Sequence, residues 1–160
     1  MKILLRQTVI LLGAIGLLSA APTSAKNVTA DVDQIAAVMK ADGKQAEIKT
    51  AKSERYVSAV AAGYTYAILP FGCDDAGKNC KSVQFFIAFN PDASPTLEAM
   101  NTYARENRWG RIYLDKDGDP ALEFDVDLEQ GGMSQALFLD NVAYWEAILA
   151  AYAKWVFGKE

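Results

Sequence analysis

The sequence predicts an α+β domain, an antiparallel sheet of about five strands with helices packed on it, in the order α-β-β-β-α-β-β-α. Three observations carry this expectation. Apolar residues recur at helical spacing near the start, the middle and the end of the region after residue 26, and short runs rich in β-branched and aromatic residues fill the intervals. An Asp-Lys-Asp-Gly segment then joins two of those runs as a hairpin. Helices gathered on one face of an antiparallel sheet accommodate such an order.

Over residues 29–42 the apolar positions Val32, Ile35, Ala36, Val38 and Met39 describe a first helix, with Asn27 or Thr29 as its cap and Gly43 at its end. Four β-rich runs follow, at residues 46–50, 56–61, 64–69 and 82–89. The first is the shortest and is expected either to merge with the second or to lie at an edge. Ala62-Gly63 is a tight reversal between the middle two. Ser94 as cap and Pro95 at the first helical position open a second helix, which Leu97, Met100, Tyr103 and Ala104 continue towards Asn107. Residues 111–114 and 121–128 pair through Asp115-Lys116-Asp117-Gly118, a sequence suited to a type I turn with a glycine bulge. If Asp115 stands opposite Asp119, Arg111 faces Glu123 and Ile112 faces Leu122. Gly131-Gly132 breaks the chain, and Ser134 starts a last helix that runs to about Phe157.

Residues 1–25 read as an export signal. Lys2 and Arg6 form a cationic head, an uncharged stretch over residues 7–21 has its apolar centre at 9–18, and Thr23-Ser24-Ala25 supplies the small residues that a signal peptidase reads. Cleavage is expected after Ala25. The apolar centre is well short of the roughly 20 residues that span a bilayer. The cysteines at 73 and 80 are too far downstream for a lipoprotein anchor. Residues 26–160 are then one domain, periplasmic or secreted, without stable membrane insertion.

Export places Cys73 and Cys80 where disulfides persist, and a bridge closing this polar, turn-forming loop is expected to stabilise the fold by roughly 2 to 3 kcal/mol on a chain-entropy basis. Composition narrows the chemistry further. The formal charge is −4, and because Lys2 and Arg6 are the only charges before residue 26, the rest of the chain carries −6. That sign disfavours nucleic acid. The sequence has no histidine, which removes the commonest general base, the Ser-His and Cys-His nucleophile pairs and imidazole metal ligands. No catalytic residue set and no cofactor are expected.

Two acidic groups invite other readings. Asp115, Asp117 and Asp119 suggest weak cation binding and hence a cation-responsive sensor. The EF-hand pattern is nevertheless absent, since counting from Asp115 puts Gly118 fourth and Val126 twelfth. Glu123 and Asp125, two apart on one strand with backbones about 7 Å apart, match the spacing of a glycoside hydrolase's carboxylates, as any alternating acidic strand does. The plainer reading of both is a hairpin turn and the solvent face of a strand.

The last helix carries more. Phe138, Val142, Trp145, Leu149, Tyr152 and Val156 form one stripe, and Leu137, Tyr144, Ile148, Ala151 and Trp155 a second about 100° away. Together they exceed the arc a helix needs to pack on one sheet. Phe138, Val142, Tyr144, Trp145, Leu149, Tyr152 and Trp155 are therefore the candidate contacts to a protein or peptide partner or to a second copy, unless other elements of the same domain cover them. Asp140, Glu146 and Lys154 rule against a membrane span.

Asn101, the run from Trp109 to Asp125, Gly131-Gly132-Met133 and Trp145 in the final helix together resemble the YbjN family of bacterial domains. The resemblance covers nearly all of the chain after residue 26, and the cysteine pair before Ser82-Val83-Gln84-Phe85 is similar to that of an exported branch. It implies a fold like that of type III secretion chaperones, often dimeric, and a role in sensory transduction or chaperone-like protein binding. The functional expectation is thus a non-enzymatic binding module of the bacterial envelope, acting through its apolar helix face or the open face of its sheet.

Overall fold

A computed structural model describes residues 26–108 and 110–158. The expected export signal and Trp109 of the family-like run lie outside the described residues. The elements are α1 (Val32–Ala41), β1 (Ala46–Ala51), β2 (Glu54–Ala61), β3 (Tyr64–Phe71), β4 (Ser82–Ala88), α2 (Leu97–Glu106), β5 (Arg111–Leu114), β6 (Pro120–Asp127) and α3 (Gln135–Val156). The strands form one antiparallel sheet in the order β1-β2-β3-β4-β6-β5.

The sheet has six strands where about five were expected, because residues 46–51 stay separate from β2 as an edge strand. The turn between them, Lys52-Ser53, holds both residues at positive φ, +49° and +73°, as does Ala62-Gly63 between β2 and β3 at +50° and +81°. Positive φ at both central residues matches the right-handed twist of the flanking strands, which is why two-residue hairpins select it. Lys-Ser is an unusual pair for that geometry, so the first hairpin left little trace in the sequence.

Two helix starts are displaced from their expected positions. Asp31, not Asn27 or Thr29, caps α1 by accepting from the Gln34 N–H at 2.8 Å. Thr29 instead donates its N–H and hydroxyl to Gln34 Oε1, while the Gln34 amide donates to the Asn27 carbonyl, so one glutamine ties down the segment before the cap. Thr96, not Ser94, caps α2. Ser94 donates to the Gly118 carbonyl at 2.8 Å and fastens the loop before α2 to the β5–β6 turn. Gly43 beyond α1 and Ser134 before α3 stand as expected.

The β5–β6 hairpin has the expected register, with Arg111 opposite Glu123 and Ile112 opposite Leu122. Asp115 and Asp119 close it through the Asp115 N–H to the Asp119 carbonyl, and Gly118 sits at φ +83°. The Cys73–Cys80 disulfide closes the β3–β4 loop. Inside that loop Asp74 accepts from the N–H groups of Ala76 and Lys78 and from the Asn79 amide, and these bonds, the Lys78 N–H first, hold its carboxyl below the usual carboxylate range.

All three helices lie on the side of the sheet that carries Val57, Tyr66, Ile68, Phe85 and Leu122. Trp145 of α3 meets Tyr66 and Phe85, with ring centroids 5.5 and 5.6 Å apart. α2 joins the same layer through Tyr103, which packs on Tyr152 and Trp155, and through Met100, whose sulfur accepts from the Tyr152 hydroxyl. α1 contributes Val32, Ile35, Ala36 and Met39 to the same core, and Asp33 grips Arg55 of β2 in a two-pronged ion pair. Among the described residues no helix is long and apolar enough to cross a membrane.

Candidate partner-binding face

Strand alternation sends every second side chain to the face without helices. There the registers align Tyr56 with Leu69, Gln84 and Asp125, and align Ser58 with Ala67, Phe86, Glu123 and Arg111. Val60 and Phe71 stand further along the same face and are 40% and 47% exposed. Tyr56, Leu69 and Phe86 are half-buried by their neighbours alone, with no helix above them. The result is a broad surface with apolar residues on its β2–β4 side and acidic ones on its β6 side.

The acidic side is organised by Glu123, which is only 6% exposed. Glu123 is buried, against the expectation that it lies on the solvent face of its strand. Its carboxylate accepts from the Arg111 guanidinium through one oxygen and from the Tyr113 hydroxyl through the other. Burial, followed by the hydrogen bond to Glu123, pushes the Tyr113 hydroxyl up to about 12. Asp125 is exposed and accepts from the Gln84 amide at 3.0 Å. Both oxygens of Glu123 therefore accept hydrogen bonds within the sheet, while Asp125 stands at its surface. Asp115 is engaged within the turn, since its Oδ1 accepts the N–H groups of Asp117 and Asp119, and Asp117 pairs with Lys116. Among the described residues no group of three or more acidic or cysteine side chains is placed to hold a metal.

The structure relocates most of the helix candidates. Phe138, Val142, Trp145, Leu149 and Tyr152 are fully buried, so in the folded chain they are core and not a partner-facing surface. The reason is the sheet beneath α3 together with α2 beside it, two neighbours that helical spacing alone does not reveal. Trp155 is half-buried against Tyr103, with ring centroids 4.6 Å apart, and Tyr144 is 46% exposed. Of the seven, these two alone reach the surface.

Two depressions accompany α2. A cleft of about 50 Å³ lies between Tyr103, Gly110, Ile112, Leu122 and Ile148, far below the roughly 300 Å³ at which small-molecule sites begin. A wider, open groove of about 500 Å³ runs along α2 past Thr102, Tyr103 and Trp155.

The YbjN family, described as "Putative bacterial sensory transduction regulator", matches residues 31–158, from the cap of α1 to the end of α3. The chain belongs to the YbjN family. That description names a regulatory role. No curated protein and no solved structure matches the chain. None of the residues on the YbjN domain's open sheet face is among the seven that helical spacing singles out. The signal was present in residues 56–71 and 82–88, whose apolar residues fall on both faces of their strands where a one-sided sheet would alternate.

Proposed function

We propose that this YbjN domain is a non-enzymatic binding module of the bacterial envelope, which holds an apolar stretch of a protein or peptide on the open face of its sheet. The observation that carries the reading is the uncovered row of Tyr56, Val60, Leu69, Phe71 and Phe86 opposite the helices. Exposed apolar patches of this kind are costly in water and mark interaction sites. The acidic rim at Asp125 and Asp127 favours a partner whose apolar stretch is flanked by lysine or arginine. Export is supported by the signal-like residues 1–25 and by the disulfide, which persists in oxidising compartments. A sheet backed by helices on one side is also the form that the likeness to secretion chaperones implies.

Suppression of the aggregation of an unfolded, reduced model protein tests the proposal. The native chain is expected to delay aggregation at stoichiometric ratios, and a V60E/F71E variant to lose most of that effect while keeping its melting temperature within a few degrees. Equal protection by the variant would overturn it. The reaction-based alternative is checked in the same preparations, where glycan cleavage that E123Q abolishes would contradict a contact role.

A further inference from the structure

The two edges of the sheet differ. β5 has four residues and packs against α2, whereas β1 has six and packs against α1, and among the described residues no strand pairs with its outer side. An open row of N–H and C=O groups is a template for another strand. The ladder fixes which groups point outward. The Val60 N–H donates to the Gln45 carbonyl, so residue 45 and, by alternation, Glu47 and Lys49 turn their backbone groups towards β2. Ala46, Ile48 and Thr50 therefore turn theirs away from it.

We infer that β1 is a self-complementary dimerisation edge, which pairs antiparallel with β1 of a second copy across a two-fold axis at Ile48. In that register Ile48 meets Ile48, and Ala46 meets Thr50, at positions that exchange both backbone bonds. Glu47 then stands opposite Lys49 of the second copy, and Lys49 opposite Glu47, at the non-hydrogen-bonded positions where side chains approach most closely. Both residues are exposed, and no ion pair is seen for either among the described residues. The two neighbouring registers oppose Glu47 to Glu47 or Lys49 to Lys49, so charge selects one pairing. Ile48, 36% exposed in the single chain, is covered by its own copy. A lysine on an edge strand usually deters pairing, but here the opposite charge two residues away converts the deterrent into a register lock. Residues opposite each other point to the same side of a sheet, so the dimer joins two open faces into one continuous surface.

The dimer is independent of the binding role, because a monomer keeps its own open face. Sedimentation velocity over a concentration series, with the native chain, E47K, K49E and E47K/K49E, tests it. The native chain is expected at twice the monomer mass, each single reversal to raise the dissociation constant roughly tenfold or more, and the double reversal to restore it to near the native value. I48P adds a backbone test. Its lost N–H faces outward, so circular dichroism and the β2 ladder are expected to survive while the dimer disappears. A native chain that stays monomeric at every concentration would overturn the inference. So would a dimer indifferent to the single reversals, one not rescued by the double reversal, or an edge that takes up an extended peptide in place of a second copy. Aggregation suppression by the monomeric variants then reports separately on the binding face.

Discussion

Glu123 shows how one side chain can be placed correctly along the chain and misread across it. Its partner Arg111 followed from the turn chemistry of residues 115–118, and the structure has that register. Its burial did not follow, because strand alternation assigns a face but not what the neighbours on that face will cover. Arg111 and Tyr113 lie over it from the adjacent strand. A pH prediction follows from Tyr113. Its hydroxyl is raised to about 12, so the stability it contributes is fully present below the ordinary tyrosine value near 10 and is lost as pH rises towards 12. Y113F is expected to flatten that alkaline loss, and to lower stability at neutral pH by about 1 to 2 kcal/mol through the missing bond to a carboxylate. Urea denaturation at pH 7 and across pH 9–12 checks both. Burial raises the Tyr66 and Tyr152 hydroxyls as well, so a residual slope is expected in the variant.

Gly132 makes the same point for the backbone. It sits at φ +77°, and a Cβ there would lie 2.1 Å from the Val28 carbonyl oxygen, where Val28 and Met133 exchange backbone hydrogen bonds. Gly131-Gly132 is legible in the sequence as a break, but the requirement for glycine at the second position comes from a strand-like contact more than a hundred residues away in the chain. G132A is expected to destabilise by roughly 2 kcal/mol or more, since both the conformation and the space exclude a side chain. Its denaturation midpoint compared with that of G131A checks this, because Gly131 has open space around the same atom.

At the scale of elements, the helices were legible wherever apolar spacing continued for several turns, and so was the Ser134 cap of α3, but the caps of α1 and α2 were not. Ser94-Pro95 has the composition of a helix start, yet Thr96 won because Ser94 found a carbonyl acceptor in the β5–β6 turn. The first hairpin was the least legible element. Lys52 and Ser53 occupy left-handed backbone conformations that asparagine and glycine adopt more easily. K52N/S53G is expected to raise stability by about 1 kcal/mol, with the β1–β2 register and the dissociation constant of the dimer unchanged. Thermal melts of the two chains side by side measure it, and a fall in melting temperature would mean that Lys52 or Ser53 is held by something other than the turn.

At the scale of the molecule, the layering was foreseen and its consequence was not. Helical spacing marked two apolar stripes on α3, and Trp145, Tyr152 and Phe138 of the first are among the largest fully buried side chains. Five of the seven residues named from the surplus apolar arc are buried in the core, because tertiary neighbours use the arc. The surface left over is on the opposite side of the sheet, where Val60, Leu69 and Phe71 project from strands that also supply the core. The disulfide belongs to this scale too, since it anchors the β3–β4 loop beside Phe71 at one end of that surface. Reduction is expected to lower global stability by roughly 2 to 3 kcal/mol and to leave the fold intact, as equilibrium unfolding with and without reductant would show.

The contact role on the open face is tested most directly by a methyl NMR titration of the native chain with an unfolded, lysine-flanked apolar peptide. The methyl groups of Val60, Ala67 and Leu69 are expected to shift together and saturably, while those of Val57, Ile68 and Leu149 on the helix side stay in place. Shifts confined to the α2 groove or to Leu137, or none at saturating peptide, would contradict the assignment of the open sheet as the working surface.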